Sequence, residues 1–182
     1  LVSSPSYDPN ELVGRVRGEN YSNLLNDSLK PLINRATSGI YPPGSTFKMV
    51  NALIALQSGM VNPNTTFVCN GPETQPIRCT HNHNSPVALY EAIENSCNPY
   101  FWETFKELFA SHRFSSTKEA YQYWYDHVTS FGLGSTFDTD IPSEMSGNIP
   151  KSSFYDKMYR GVWNALTIRS LSIGQGEILV TP

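Results

Sequence analysis

Tyr41-Pro-Pro-Gly-Ser-Thr-Phe-Lys48, running on into Met49-Val-Asn-Ala-Leu-Ile-Ala-Leu-Gln-Ser-Gly59, is the stretch whose reading decides the fold. Two prolines and a glycine keep a helix from starting before Ser45. From there Val50, Leu53, Ile54 and Leu56 recur at three- and four-residue spacings among good helix formers, which predicts a helix closed by Gly59. Ser45 then sits at the helix mouth, with Lys48 one turn later on the same face. A serine hydroxyl is a poor nucleophile until a neighbouring base takes its proton, and an amine desolvated in an apolar site is neutral enough to do so. The helix N-terminus adds free N–H groups and a positive dipole end where an oxyanion would form.

Alone, Ser-x-x-Lys is common by chance and reads first as a serine cap followed by an ordinary surface lysine. The context separates the two. Ser96-Cys97-Asn98 follows a short helical segment and has the Ser-x-Asn form that accompanies Ser-x-x-Lys in penicillin-binding proteins and serine β-lactamases. Two longer runs, Asn34-Arg-Ala-Thr-Ser-Gly-Ile-Tyr-Pro-Pro-Gly-Ser-Thr-Phe-Lys48 and Ser172-Ile-Gly-Gln-Gly-Glu-Ile-Leu-Val-Thr-Pro182, resemble the transpeptidase domain of a class B penicillin-binding protein. The resemblance is to the penicillin-binding protein 2 group, which cross-links wall during cell elongation. It covers nearly the whole chain and is thinnest over 99–151.

The resemblance implies an α+β fold of the penicillin-binding and serine β-lactamase type, here a mostly helical part of the domain (1–182) without the later sheet strands. It implies that Ser45 attacks the carbonyl of a D-alanyl-D-alanine stem peptide and forms an acyl-enzyme. Lys48 would take the Ser45 proton, Ser96 would pass a proton to the leaving amine, and Asn98 would hold both Lys48 and the substrate backbone. β-Lactams would be acylating ligands, and a membrane glycosyltransferase of the wall-synthesis complex would be a partner through other parts of the protein. The expected location is the periplasmic face of the bacterial inner membrane. The family's third motif, Lys-Ser/Thr-Gly, does not occur; Lys151-Ser-Ser153 lacks the glycine and follows a proline. The segment alone is therefore expected to be a poor enzyme. Two other readings stay open: a D,D-carboxypeptidase or β-lactamase-type hydrolase, and a non-catalytic β-lactam sensor or scaffolding domain.

Composition narrows the classes further. Of 182 residues, 39% are hydrophobic and 16% charged, which is globular and neither disordered nor membrane-like. A net charge of −3 gives no basic footprint, so no nucleic-acid partner is expected. No run approaches the roughly 18 apolar residues that span a bilayer, and no signal peptide is visible. The opening Leu1-Val-Ser-Ser-Pro-Ser-Tyr-Asp-Pro9 reads as a strand end and turn, and Thr181-Pro182 as a helix start with nothing after it, as in a segment of a longer protein. Any membrane anchor would lie outside it.

Along the chain, Tyr21–Asn26 predicts a short helix, and 60–86 reads as loop. Ser85-Pro86 is expected to cap a helix through Val87, Leu89, Ala92 and Ile93. Pro99 opens another, whose stripe of Phe101, Trp102, Phe105, Leu108 and Phe109 reads as core. Ser115-Ser-Thr-Lys-Glu119 begins one more, through Tyr121, Tyr125 and Val128 to Gly132. Residues 138–150 are turn-rich, and no internal repeat is present.

A second constellation is Cys69, Cys79, His81, His83 and Cys97. Three cysteines sit awkwardly in an oxidising compartment, which favours even numbers. Three thiols and one imidazole make a closed structural zinc site instead, and the spacing lets either His81 or His83 reach a metal held by Cys79. The resemblance points the same way: some members of the group carry a zinc near the active site on aspartate, histidine and cysteine. Cys69 and Cys79 would replace the aspartates, with His83 and Cys97 as the other ligands, a softer set that still suits zinc. A Cys69–Cys79 disulfide with Cys97 free, and three unlinked thiols, are the rivals. His112 and His127 have no partner in view.

Overall fold

The computed structural model describes residues 2–137, 140, 141 and 143–182. Six α-helices among the described residues carry the architecture: α1 (Arg17–Asn26), α2 (Lys48–Ser58), α3 (Leu89–Glu94), α4 (Asn98–Ala110), α5 (Thr117–Ser130) and α6 (Ser152–Met158). Short 3-10 turns at Pro9–Leu12, Gly44–Phe47, Gly71–Glu73 and Arg169–Ile173 join them. Among the described residues β-structure is confined to isolated antiparallel bridges, Tyr41 with Val180, Phe67 with Val87 and Asn148 with Leu179. Among the described residues no helix is long and apolar enough to cross a membrane.

α2 is the axis. Its C-terminus closes on Gly59, whose φ of 73° is the left-handed conformation that a glycine adopts without a Cβ penalty, and whose N–H bonds the Leu56 carbonyl. Phe47 and Ile54 face one core, with Trp102, Phe105 and Leu108 of α4, Tyr121, Trp124 and Val128 of α5, and Tyr155, Trp163 and Leu171 beyond. Ala52 faces a second, smaller core of Val87, Leu89, Ala92, Tyr100, Phe101 and the three cysteines. α4 borders both, so it spaces the two cores, and each large side chain buried there contributes about 1.5–3 kcal/mol.

The buried amide of Asn51 fastens the 3-10 turn at 169–173 to α2. Its Nδ2 donates to the carbonyls of Leu171 (3.1 Å) and Ser172 (3.0 Å), and its Oδ1 accepts from Trp124 Nε1 at 2.9 Å. Gly44 N donates to Gly174 O at 2.8 Å, and a Cβ on Gly174 would stand 2.5 Å from Phe47 Cβ. The close approach of those two glycine backbones therefore sets where the chain enters the Ser45 turn.

Several expectations need correction. The helix expected from Ser45 begins as the tight turn Gly44–Phe47 and becomes α-helical only at Lys48. Among the described residues 2–9 no strand forms: Pro5 and Pro9 lack N–H donors, and Asp8 caps the turn at Pro9–Leu12 by accepting from Asn10 N. Ser85-Pro86 caps no helix. Ser85 Oγ accepts from Cys69 N, and Val87 exchanges both backbone hydrogen bonds with Phe67, so α3 starts only after Ala88. α1 starts at Arg17, four residues before the expected helix. His127 does have a partner: its Nδ1 lies 2.7 Å from the Tyr123 carbonyl, and the two rings sit 4.1 Å apart. Lys151-Ser-Ser153 leads into α6. Of the turn-rich stretch 138–150, Asp138, Thr139 and Pro142 lie outside the described residues.

Candidate active site and thiol cluster

Ser45 is exposed in the turn that opens α2, and Lys48, one turn on, is buried. Opposite them the chain reverses between α3 and α4. Ser96 turns it with φ of 49°, a left-handed conformation that costs a residue with a side chain about 1–3 kcal/mol. Two backbone bonds hold it there, Ser96 N to Ile93 O (3.1 Å) and Cys97 N to Ala92 O (2.9 Å). Because of this twist, both the carbonyl and the hydroxyl of Ser96 face Lys48.

The side chains join in one network. Ser96 Oγ donates to Ser45 Oγ at 3.0 Å. Lys48 Nζ donates to Ser96 O at 2.7 Å, Ser96 Oγ at 2.9 Å and Asn98 Oδ1 at 2.6 Å. These three acceptors match the three protons of an ammonium, so Lys48 reaches Ser45 through Ser96. Asn98 Nδ2 donates to the Arg78 carbonyl at 3.0 Å, which leaves its oxygen directed at Lys48. Burial pushes the Lys48 amine down to about 8, against the opposing pull of the Cys97 and Cys79 sulfurs.

Behind the turn lie the thiols. Cys69, Cys79 and Cys97 are buried and unpaired by disulfides, and their Sγ atoms and an imidazole nitrogen of His83 all lie within 4.8 Å of one another. His83 Nε2 is 3.3 Å from Cys79 Sγ and 3.6 Å from Cys69 Sγ. Zinc bonds of about 2.3 Å to sulfur and 2.0–2.1 Å to nitrogen put tetrahedral ligands about 3.5–3.8 Å apart, close to these separations. His83 Nδ1 lies 2.8 Å from the Asn84 carbonyl, which fixes that nitrogen as the donor and leaves Nε2 a lone pair for a metal. His81 lies outside the group, beside Thr80 Oγ1. Burial resists ionising Cys79, yet hydrogen bonds from the His81 backbone and the His83 and Cys69 side chains carry its thiol down to about 7. Burial pushes Cys97 up to about 12. The Asn84 carbonyl raises His83. The donor set fits a divalent zinc ion.

The sequence motifs missed two supports of this site. Arg78 acts through its main-chain carbonyl, which no side-chain pattern reveals. Asn51 sits inside a helix of apolar spacing, where only its polarity on a buried face could have singled it out.

The structure thus brings together an exposed serine at a helix mouth, a second serine hydrogen-bonded to it and a buried lysine bonded to that second serine. The comparisons give the family: the penicillin-binding protein transpeptidase domain matches residues 1–182, and the chain belongs to that family. It is 32% identical over 192 residues to the peptidoglycan D,D-transpeptidase MrdA of Escherichia coli K12, covering all of this chain and 28% of that protein. Pseudomonas aeruginosa PBP2 in complex with WCK 5153 superposes with a TM-score of 0.78 at 30% identity, over all of this chain and 40% of that one. The penicillin G acyl-enzyme complex of Mycobacterium tuberculosis penicillin-binding protein A gives 0.74 at 26% identity, over all of this chain and 40% of that one. The fold is thus the transpeptidase fold of the penicillin-binding proteins, seen in its helical part.

Proposed function

We propose that these residues carry the acylation half-site of a peptidoglycan D,D-transpeptidase, with Ser45 as nucleophile and Lys48 as its base. The single observation that supports this most is the unbroken hydrogen-bonded path from Ser45 Oγ through Ser96 Oγ to Lys48 Nζ. With Lys48 neutral, Ser45 Oγ attacks the carbonyl of the penultimate D-alanine of a stem peptide. Its proton passes to Ser96, and the Ser96 proton passes to Lys48. As the tetrahedral adduct collapses, Ser96 protonates the departing D-alanine amine and regains a proton from Lys48. The amine of a neighbouring stem peptide then attacks the acyl-serine and closes the cross-link. Asn98 orients Lys48 through its oxygen and fixes the stem-peptide backbone, and the Ser45 backbone N–H supplies one oxyanion donor. β-Lactams acylate Ser45 by the same first step.

Cys69, Cys79, His83 and Cys97 would hold a structural zinc. A zinc in such a closed four-ligand site supplies order rather than Lewis acidity toward substrate. Here it would hold the loop carrying Arg78 and the turn carrying Ser96 and Asn98.

The chain spans about a quarter to two fifths of the proteins it matches. The Lys-Ser/Thr-Gly strand and the sheet it belongs to are assigned to the rest of the whole protein. Met49 and Leu53, one turn apart on α2 and each 50% exposed, support that: they offer an apolar face for such a sheet. The setting is the periplasmic face of the inner membrane, with a wall glycosyltransferase as partner through other parts of the protein. The test is mass spectrometry of the full-length protein after a β-lactam. One adduct is expected on the Ser45 peptide and none in Ser45→Ala, while Lys48→Ala should acylate about 10²–10⁴-fold more slowly. An adduct that survives Ser45→Ala overturns the assignment.

A further inference from the structure

Cys69, itself buried, lines a cavity of about 290 Å³ with His81, Asn82 and His83. Cys97 is fully buried at the start of α4, between Ser96 and Asn98, and does not line that cavity. Cys69 and Cys79 both sit on the loop, and their sulfurs lie within 4.8 Å of each other. A shift of about 2–3 Å would bring them to the 2.05 Å of a disulfide. Cys79 follows Arg78, whose carbonyl holds the Asn98 amide.

We infer that this cluster is an oxidation site for hydroperoxides, at which a Cys69–Cys79 disulfide forms, expels the zinc and slackens the acylation turn. The link to acylation rests on the Ser45 reading above; the thiol chemistry does not. The Cys69 thiolate attacks one oxygen of hydrogen peroxide, the O–O bond breaks, and Cys69 becomes a sulfenic acid with hydroxide as leaving group. The Cys79 thiolate attacks that sulfur, a second hydroxide leaves, and the disulfide closes. Two thiolates give up two electrons, peroxide and two protons become two waters, and zinc departs still divalent with two of its four donors gone. Drawing Cys79 toward Cys69 pulls the Arg78 carbonyl off Asn98 Nδ2, so Asn98 no longer presents its oxygen to Lys48.

The experiment treats full-length, reduced, zinc-loaded protein with hydrogen peroxide. Metal release is read with a chromogenic chelator, the disulfide by peptide mapping, and acylation with a fluorescent penicillin. Expected are about one zinc released per chain, a Cys69–Cys79 bridge, and labelling slowed about 10–100-fold, the usual effect of losing a metal site's supporting contacts. Thiol reductant with added zinc should restore the rate. Cys69→Asp keeps an oxygen ligand for the metal and cannot form the bridge, so its zinc content and labelling, whatever their starting values, should be indifferent to peroxide. Zinc retained under peroxide, a bridge through Cys97, or full release with labelling unchanged would each overturn the inference. Should the reduced protein fail to label at all, the Ser45 reading falls, and metal release with the peptide map still decides the thiol chemistry.

Discussion

Lys48 shows how one residue's surroundings set the chemistry. Its stem is buried and its amine meets three acceptors, which suit the charged form, while burial pulls the pKa down to about 8. A lysine with a lowered pKa loses its proton earlier as pH rises, so the base form grows through that value. About one tenth is neutral at pH 7 and about nine tenths at pH 9, and acylation of full-length protein by a fluorescent penicillin should rise about tenfold between them and then level off. A flat stopped-flow profile over that range would exclude Lys48 as the base. The same shift affects folding, and in the same direction with pH. Between about 8 and the ordinary 10.5 the unfolded chain binds the proton that the folded chain has lost, so this group's contribution to stability rises with pH across that window.

At the scale of elements, Asn51 is the fastener to break. Asn51→Leu keeps the helix and roughly the volume but strands the indole N–H of Trp124 and removes both donors to the 171–172 carbonyls. Leaving such buried groups unpaired should cost about 2–4 kcal/mol in urea unfolding of the full-length protein. A loss below about 0.5 kcal/mol would mean the turn at 169–173 holds itself. The elements also mark how far a sequence can be read. α2, α4 and α5 were legible because each carries a long apolar repeat with a clear stop or cap; Ser116 accepting from Glu119 N is one of these. The start of α3 reads too early because Ser85-Pro86 has the composition of a cap, while Val87 is claimed by a bridge to Phe67 twenty residues earlier. α6 was not foreseen: seven residues give too little periodicity to read.

For the whole molecule, the candidate site residues and the pairing of Asn98 with Lys48 could be read from spacing and resemblance, whereas the backbone geometry that brings them together could not. That Ser96 takes a left-handed turn, that Asn98 is steered by a main-chain carbonyl, and that His83 rather than His81 meets the thiols are facts of tertiary placement. The division into two cores has a consequence of its own. The smaller core, which holds the three cysteines, is expected to open independently of the larger aromatic one, as a separate cooperative unit. With the proposed zinc stripped by a chelator, the amides of Phe67, Val87 and Cys97 should exchange hydrogen at least about tenfold faster, while Trp124 in α5 keeps its protection. Equal acceleration at all four would mean a single unit. Ser45 and Lys48 ride on the helix common to both cores, whereas Ser96 belongs to the smaller one. The hydrogen bond between the two serines is thus a coincidence signal: it exists only while both units are closed, and on heating acylation should fail before the molecule as a whole unfolds.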